Sequence, residues 1–84
     1  MNSFPEIDMI ATGRNIIRLR KMNGMSVRRL QEKMGFMTPQ AIYKWQQGVS
    51  LPSVDNLVVL AMVFHVHMDD IIVIAQSGSA VFTA

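Results

Sequence analysis

Glycines at three positions divide the middle of this chain into short segments, and their spacing most restricts what the chain can fold into. Gly24, Gly35 and Gly48 are separated by ten and twelve residues, enough for a short helix and its turn each time. Glycine is favoured directly after a helix because it adopts the left-handed conformation without a Cβ penalty. Each glycine is therefore predicted to end a helix, and strand-like alternation is absent before the last few residues. The sequence predicts an all-α fold.

Cap residues and apolar spacing give the bounds of five predicted helices. Asp8 or Thr12 caps the first helix, and the others cover about residues 26–34, 38–47, 54–64 and 68–75. Thr38 as N-cap and Pro39 as first helical residue mark the third helix most clearly, because proline has no amide hydrogen to leave unbonded there. The residues expected to face the core are Met9, Ile16, Leu19, Val27, Leu30, Met34, Ala41, Ile42, Trp45, Leu57, Leu60, Ala61 and Phe64.

The chain is long enough for one domain, which we place at residues 9–75, between an N-terminal extension (1–8) and a C-terminal tail (76–84). It has no cysteine, so neither a disulfide nor a cysteine-based zinc site stabilises it. The longest apolar run, residues 57–64, is too short to span a bilayer. The polar, acidic start is unlike a signal peptide, so we expect a cytoplasmic protein with no membrane partner.

Basic residues are concentrated in one stretch. All eight lysines and arginines, and one acidic residue, lie between Arg14 and Lys44, which gives this stretch a net charge of +7 in a chain whose total is +2. Such a block is typical either of a surface that binds a polyanion or of a solvated helix face. Acidic residues flank it on both sides.

Catalytic and metal-binding signals are weak. His65, His67, Asp69 and Asp70 lie close together, but a short run of this kind lacks the ligand geometry of a zinc site. We interpret them as residues that end one helix and begin the next. There is no glycine-rich phosphate loop and no recognisable serine, histidine and acid set. The sequence thus predicts a protein that is not an enzyme and has no metal and no cofactor.

Two short helices joined by a glycine-containing turn, the second one capped and basic, form the outline of a helix-turn-helix. At these residues the chain resembles the phage repressor and Cro-type (Xre-like) DNA-binding family, from Gly13 to about Ile74. No single match is specific, but their order is. The matching elements are Ile16-x-x-Leu19-Arg20, Gly24-Met25-Ser26, Leu30, Met34-Gly35, Ile42-x-x-Trp45-x-x-Gly48, Pro52-Ser53-x-x-x-Leu57, Leu60-Ala61 and Val66-x-x-Asp69.

The resemblance implies a compact five-helix bundle of the lambda-repressor-like type whose third helix enters the major groove of double-stranded DNA. The expected base-reading residues are Gln40, Tyr43 and Lys44, on the side of that helix opposite Ile42 and Trp45. The expected phosphate contacts, which position the protein without reading sequence, are Ser26, Arg28, Arg29 and Thr38.

Several departures from the family pattern, Val27 and Gln31 among them, bear on geometry and affinity. Pro39 stands where the family often has a second base-reading side chain, and the turn between Gly35 and Ile42 is one residue longer than usual. Gln46 replaces a glutamate that usually pairs with the arginine matching Arg20, so a charged bridge becomes a hydrogen bond.

The function that these features predict is transcriptional regulation, with repression by promoter occupancy the simplest mechanism, since no sensor domain fits after the fifth helix. Activation through contact with polymerase stays open. A homodimer is expected on DNA, paired through an apolar surface of Ile71, Ile72, Ile74 and Phe82. The alternative is an antitoxin-like or adaptor module whose fold serves a protein partner. The basic stretch separates the two hypotheses, because a protein-only module has no need of it.

Overall fold

The computed structural model describes residues 5–75, which form four α-helices followed by one 3₁₀ turn. The first helix, α1, spans Met9–Met22. Its N-cap is Asp8, whose Oδ1 accepts a hydrogen bond from the Ala11 amide at 2.9 Å. Thr12, the other predicted cap, is buried inside the helix, and its hydroxyl accepts a hydrogen bond from the Val73 amide at 2.9 Å. Thr12 therefore holds the end of the described chain against α1.

The second helix, α2, covers Val27–Met34 and has both of its predicted ends. Ser26 Oγ accepts a hydrogen bond from the Arg29 amide at 3.0 Å, which satisfies one of the free amides of the first turn. Gly35 follows in the left-handed conformation at φ +72°, as glycine does after many helices.

The third helix, α3, is Gln40–Gln46, so its first helical residue comes one residue later than the predicted Pro39. Pro39 is the N-cap, its carbonyl accepts the first bond of the helix from Tyr43 at 3.1 Å, and no side chain caps this end. The predicted N-cap role of Thr38 and the predicted helical position of Pro39 are therefore wrong. Thr38 lies two residues before the first helical residue, Gln40, and forms no cap hydrogen bond to the first turn of α3.

The fourth helix, α4, spans Val54–Phe64, as predicted. Ser53 Oγ accepts a hydrogen bond from the Asn56 amide at 3.2 Å. His65 ends the helix in the left-handed conformation at φ +59°, a position that non-glycine residues seldom occupy. Within residues 5–75 no helix has both the length and the apolar character needed to cross a membrane.

The predicted fifth helix is wrong. Only Met68–Asp70 is helical, as a single 3₁₀ turn, and the chain then becomes extended. Ile74 forms an antiparallel bridge with Ile7, flanked by hydrogen bonds of 2.8 Å from the Asp8 amide to the Val73 carbonyl and from the Ala75 amide to the Glu6 carbonyl. The four consecutive β-branched residues 71–74 favour this extended conformation over a helix.

The core lies where the four helices meet the end of the described chain. Its buried apolar residues are Ile16, Leu19, Leu30, Ile42, Trp45, Leu60, Ala61, Phe64 and Ile71. Eight of these nine were expected to face the core. The ninth, Ile71, was predicted on a dimer surface, but its exposed fraction is 0%. That prediction is wrong because the 3₁₀ turn that ends at Ile71 is held against α1, where Asn15 Nδ2 donates to the Ile71 carbonyl, and the side chain lies in the core. Ile72 is half-buried and Ile74 is 38% exposed, while Phe82 lies outside the described residues.

Candidate nucleic-acid interface

The outer face of α3 carries all three predicted base-reading side chains. Gln40, Tyr43 and Lys44 are exposed, and they lie at i, i+3 and i+4, the spacing of one helix face. Ile42 and Trp45, on the opposite face, are buried in the core. The helix therefore presents one polar side to solvent while its other side is held in the domain.

One residue on this face was missed by the sequence analysis. Gln47 is exposed and lies one turn beyond Tyr43 and Lys44, directly after the last residue of α3. The signal was present, because position 47 is seven residues after Gln40 and so continues the same row of the helix. Its backbone amide donates to the Tyr43 carbonyl at 2.9 Å, which keeps the residue in helical register.

The position of α3 depends on a close backbone approach to α1 at Gly13. A Cβ atom at this glycine would lie 2.7 Å from the Gln46 carbonyl oxygen and closer still to that of Trp45. Both obstacles are backbone atoms at the end of α3, so a side-chain rotation cannot relieve the overlap. Gly13 therefore allows the two helices to cross at this distance. The sequence carries no signal of this close approach, because Gly13 and the end of α3 are far apart along the chain.

Arg20 fastens the same two helices by side-chain hydrogen bonds. Its Nε donates to Gln46 Oε1 at 3.0 Å, and its Nη1 donates to the Met25 carbonyl at 2.8 Å. The predicted hydrogen bond in place of a charged bridge is therefore confirmed. Because the guanidinium is fixed by both bonds, it joins α1, the turn before α2 and the end of α3.

Gln46→Glu is expected to raise the free energy of unfolding by about 1 kcal/mol, because it turns the part-buried hydrogen bond from Arg20 into an ion pair, which solvent screens less than a fully exposed pair. Urea unfolding of both proteins measures the difference. Gln47→Glu is the matched control: it adds the same charge to an exposed neighbour and is expected to change stability by less than about 0.5 kcal/mol. Equal gains in the two variants would show that net charge, and not the Arg20 contact, is responsible.

The turn between α2 and α3 is anchored on its α2 side. Phe36 packs edge-on against Trp45, with ring centroids 5.7 Å apart and an interplanar angle of 67°. Its amide donates to the Gln31 carbonyl at 3.1 Å, and its carbonyl accepts from Gln31 Nε2 at 3.3 Å. The next residue, Met37, is 94% exposed. The turn thus has a fixed base and an exposed apex.

The four predicted phosphate-contacting residues are all exposed, but they fall into two groups. Ser26, Arg28 and Arg29 lie together at the start of α2, whereas Thr38 belongs to the turn before α3. Arg29 Nη1 forms an ion pair with Glu32 Oε1 at 3.2 Å, and both side chains are more than half exposed. Such exposed pairs contribute little to stability, so Arg29 stays available to another anion.

The histidine and aspartate residues after α4 form local hydrogen bonds. The His67 amide donates to Asp70 Oδ2 at 3.0 Å, which closes the 3₁₀ turn. Across residues 5–75, no three histidine, aspartate or glutamate side chains are grouped so that they could hold a metal ion.

A family model described as helix-turn-helix matches residues 16–71. This stretch contains the capped α2, the turn and the half-exposed α3. The chain belongs to the helix-turn-helix family. The resemblance to the repressor and Cro type is thereby confirmed. The protein is a DNA-binding transcriptional regulator.

A solved structure shares this helix-turn-helix fold. It is the restriction-modification controller protein C.AhdI from Aeromonas hydrophila, with a TM-score of 0.69 and 20% sequence identity. The match covers 76% of this chain and 96% of that chain. The predicted all-α fold is confirmed by this likeness, with four helices and a 3₁₀ turn over the described residues in place of five helices. Among curated proteins no match was found.

Proposed function

We propose that the protein recognises a specific sequence in double-stranded DNA and represses transcription by occupying a promoter. The observation that carries this proposal is the outer face of α3, where Gln40, Tyr43 and Lys44 are exposed on a helix whose other side is buried. The major groove admits one α-helix, and residues near the start of that helix reach the base edges.

In this proposal each residue of the face has a separate role. Gln40 lies at the start of α3 and can bond adenine through both ends of its amide. Lys44, one turn later, donates to the N7 and O6 acceptors of guanine. Tyr43 is 45% exposed and reaches a base edge, a thymine methyl group or a phosphate. The close crossing at Gly13 and the Arg20 bonds support such recognition, because rigid elements hold contacting side chains more precisely than mobile ones.

The phosphate contacts are proposed to come from the start of α2 and from Thr38. Ser26 Oγ already accepts a bond from the Arg29 amide, so its hydroxyl hydrogen is free to donate to a phosphate. Arg28 and Arg29 add positive charge beside it. Thr38, exposed and two residues before α3, would contribute its side chain alone. These contacts position the domain and make affinity depend on salt.

The protein is proposed to bind DNA as a homodimer, since one α3 reads only a few base pairs. Of the surface predicted from the sequence, Ile74 is accessible and Ile71 is not. An apolar row on α4 was not singled out by the sequence analysis, although its spacing of i, i+4 and i+8 is a helix face. It consists of Val54, Val58 and Met62, all exposed, which supports pairing through α4.

Selection from a random duplex DNA library at about physiological salt tests the proposal. A palindrome with half-sites about 10 to 10.5 base pairs apart is expected to be enriched. Gln40→Ala and Lys44→Ala are each expected to relax one base position, at a cost of about 1–3 kcal/mol in discrimination. Lys33→Ala is the control for charge, because Lys33 is exposed on α2, outside the α3 face, and its replacement removes the same single charge.

The outcomes separate the hypotheses. If Lys33→Ala and Lys44→Ala weaken binding equally and neither changes the preferred sequence, then Lys44 contributes charge alone. Enrichment of single half-sites would contradict the dimer. If no sequence is enriched and binding stays weak at low salt, the DNA proposal fails, and the fold serves a protein partner instead.

A further inference from the structure

Met37 is a large apolar side chain that the fold leaves almost entirely in water. Its exposed fraction is 94%, compared with 69% for Met22 and 70% for Met62. The methionines within the described residues differ widely in this respect, since Met25 and Met34 pack against the core. Nothing in the described structure uses the Met37 side chain to stabilise the fold.

The backbone on both sides of Met37 is held in place. On one side Phe36 is bonded to Gln31 through both its amide and its carbonyl, and its ring packs against Trp45. On the other side Pro39 has a φ fixed by its ring and begins α3. The backbone at Met37 therefore runs between two anchored residues, Phe36 and Pro39, which restricts where its side chain can lie relative to α3.

Along the chain, Met37 is close to the start of the face proposed to read bases. Met37 lies three residues before Gln40, in the turn that leads directly into α3. Charge for phosphate binding is supplied elsewhere, by the basic residues between positions 14 and 44, and a thioether adds only adaptable apolar surface. The apolar group that DNA offers in the major groove is the 5-methyl of thymine.

We propose that Met37 is a specificity residue that contacts a thymine methyl group and extends the recognised sequence by one position beyond those read from α3. This inference rests on the proposed function, because it requires that α3 enters the major groove. It predicts a thymine in each half-site whose preference depends on position 37 and not on Gln40, Tyr43 or Lys44.

The test replaces each thymine of the selected site with deoxyuridine, which removes only the methyl group. At one thymine per half-site the substitution is expected to weaken wild-type binding about fourfold, the effect of burying one methylene-sized group. Met37→Ala is expected to weaken binding to the thymine site and to lose sensitivity to deoxyuridine at that position alone. Met37→Leu, which keeps an apolar side chain, is expected to retain part of the sensitivity. Met22→Ala, which truncates another exposed methionine, is expected to respond to deoxyuridine as the wild type does.

Failure of this inference is distinct from failure of the proposed function. If a palindrome is selected and Met37→Ala remains as sensitive to deoxyuridine as the wild type, DNA recognition stands and the Met37 contact is wrong. The Met37 contact is also wrong if Met37→Ala binds the selected site with unchanged affinity. If no site is selected in the first place, the proposed function fails before Met37 is tested.

Discussion

Gly13→Ala is expected to lower the free energy of unfolding by about 3 kcal/mol, at the upper end of the effect of overpacking. The new Cβ would overlap the carbonyl oxygens of Trp45 and Gln46, so α1 and α3 would have to move apart. Alanine inside a helix is favoured over glycine by only about 0.5–1 kcal/mol, which is too little to offset the overlap. Urea or thermal unfolding measures the loss, a large fraction of the stability of a small domain.

The matched control is Gly24→Ala. Gly24 has a φ of +67°, but an added Cβ would have nothing within 4 Å. Its cost is therefore the left-handed conformation alone, about 1–2 kcal/mol. If Gly13→Ala were no more destabilising than Gly24→Ala, the close crossing of α1 and α3 would be wrong. DNA binding adds a second readout, since moving α3 away from α1 is expected to weaken binding at temperatures where the variant is still folded.

Ile71→Ala is expected to lower the free energy of unfolding by about 2–5 kcal/mol, the usual cost of truncating a fully buried isoleucine. Ile71 belongs to the core, beside residues of α1 and α4. Asn15 fixes the backbone there, since its Nδ2 donates to the carbonyls of Asp70 at 2.8 Å and Ile71 at 3.0 Å. The side chain therefore has little freedom to move and refill the cavity.

Ile74→Ala is the control, because Ile74 is the same residue type three positions later and is 38% exposed. We expect it to lower stability by less than about 1 kcal/mol. Sedimentation measurements on both variants separate folding from association. If Ile71→Ala left unfolding unchanged but abolished dimerisation, the dimer surface predicted from the sequence would be right and the buried position of Ile71 would be wrong.

Most helix boundaries were predictable because the interactions that set them are local. A serine that caps α2 or α4 bonds an amide three residues later, and Gly35 ends α2 by its own backbone preference. The α3 face was predictable for the same reason, since buried Ile42 and Trp45 leave Gln40, Tyr43 and Lys44 on the other side. The start of α3 was placed wrongly because two adjacent residues, Thr38 and Pro39, both carry helix-start signals.

The conformation of residues 71–74 shows where local signals conflict. Their apolar character was interpreted as a fifth helix, whereas their β-branching favours an extended chain. Contacts from distant residues favour the extended form. The Thr12 hydroxyl accepts a hydrogen bond from the Val73 amide, and the backbone of Glu6 and Asp8 forms the antiparallel hydrogen bonds. The nearest of these partners along the chain, Thr12, is 61 residues from Val73.

Caps, glycines and apolar spacing thus predict the all-α class, the helix-turn-helix and the side of α3 that faces solvent, because each of these signals acts over a few residues. Packing between distant segments instead accounts for two features, the need for glycine at position 13 and the burial of Ile71. Each of these depends on segments that meet in space but are far apart in the chain, as Gly13 and Trp45 are, 32 residues apart. Steric overlap and burial arise where these distant segments pack together, so no local residue type or spacing predicts them.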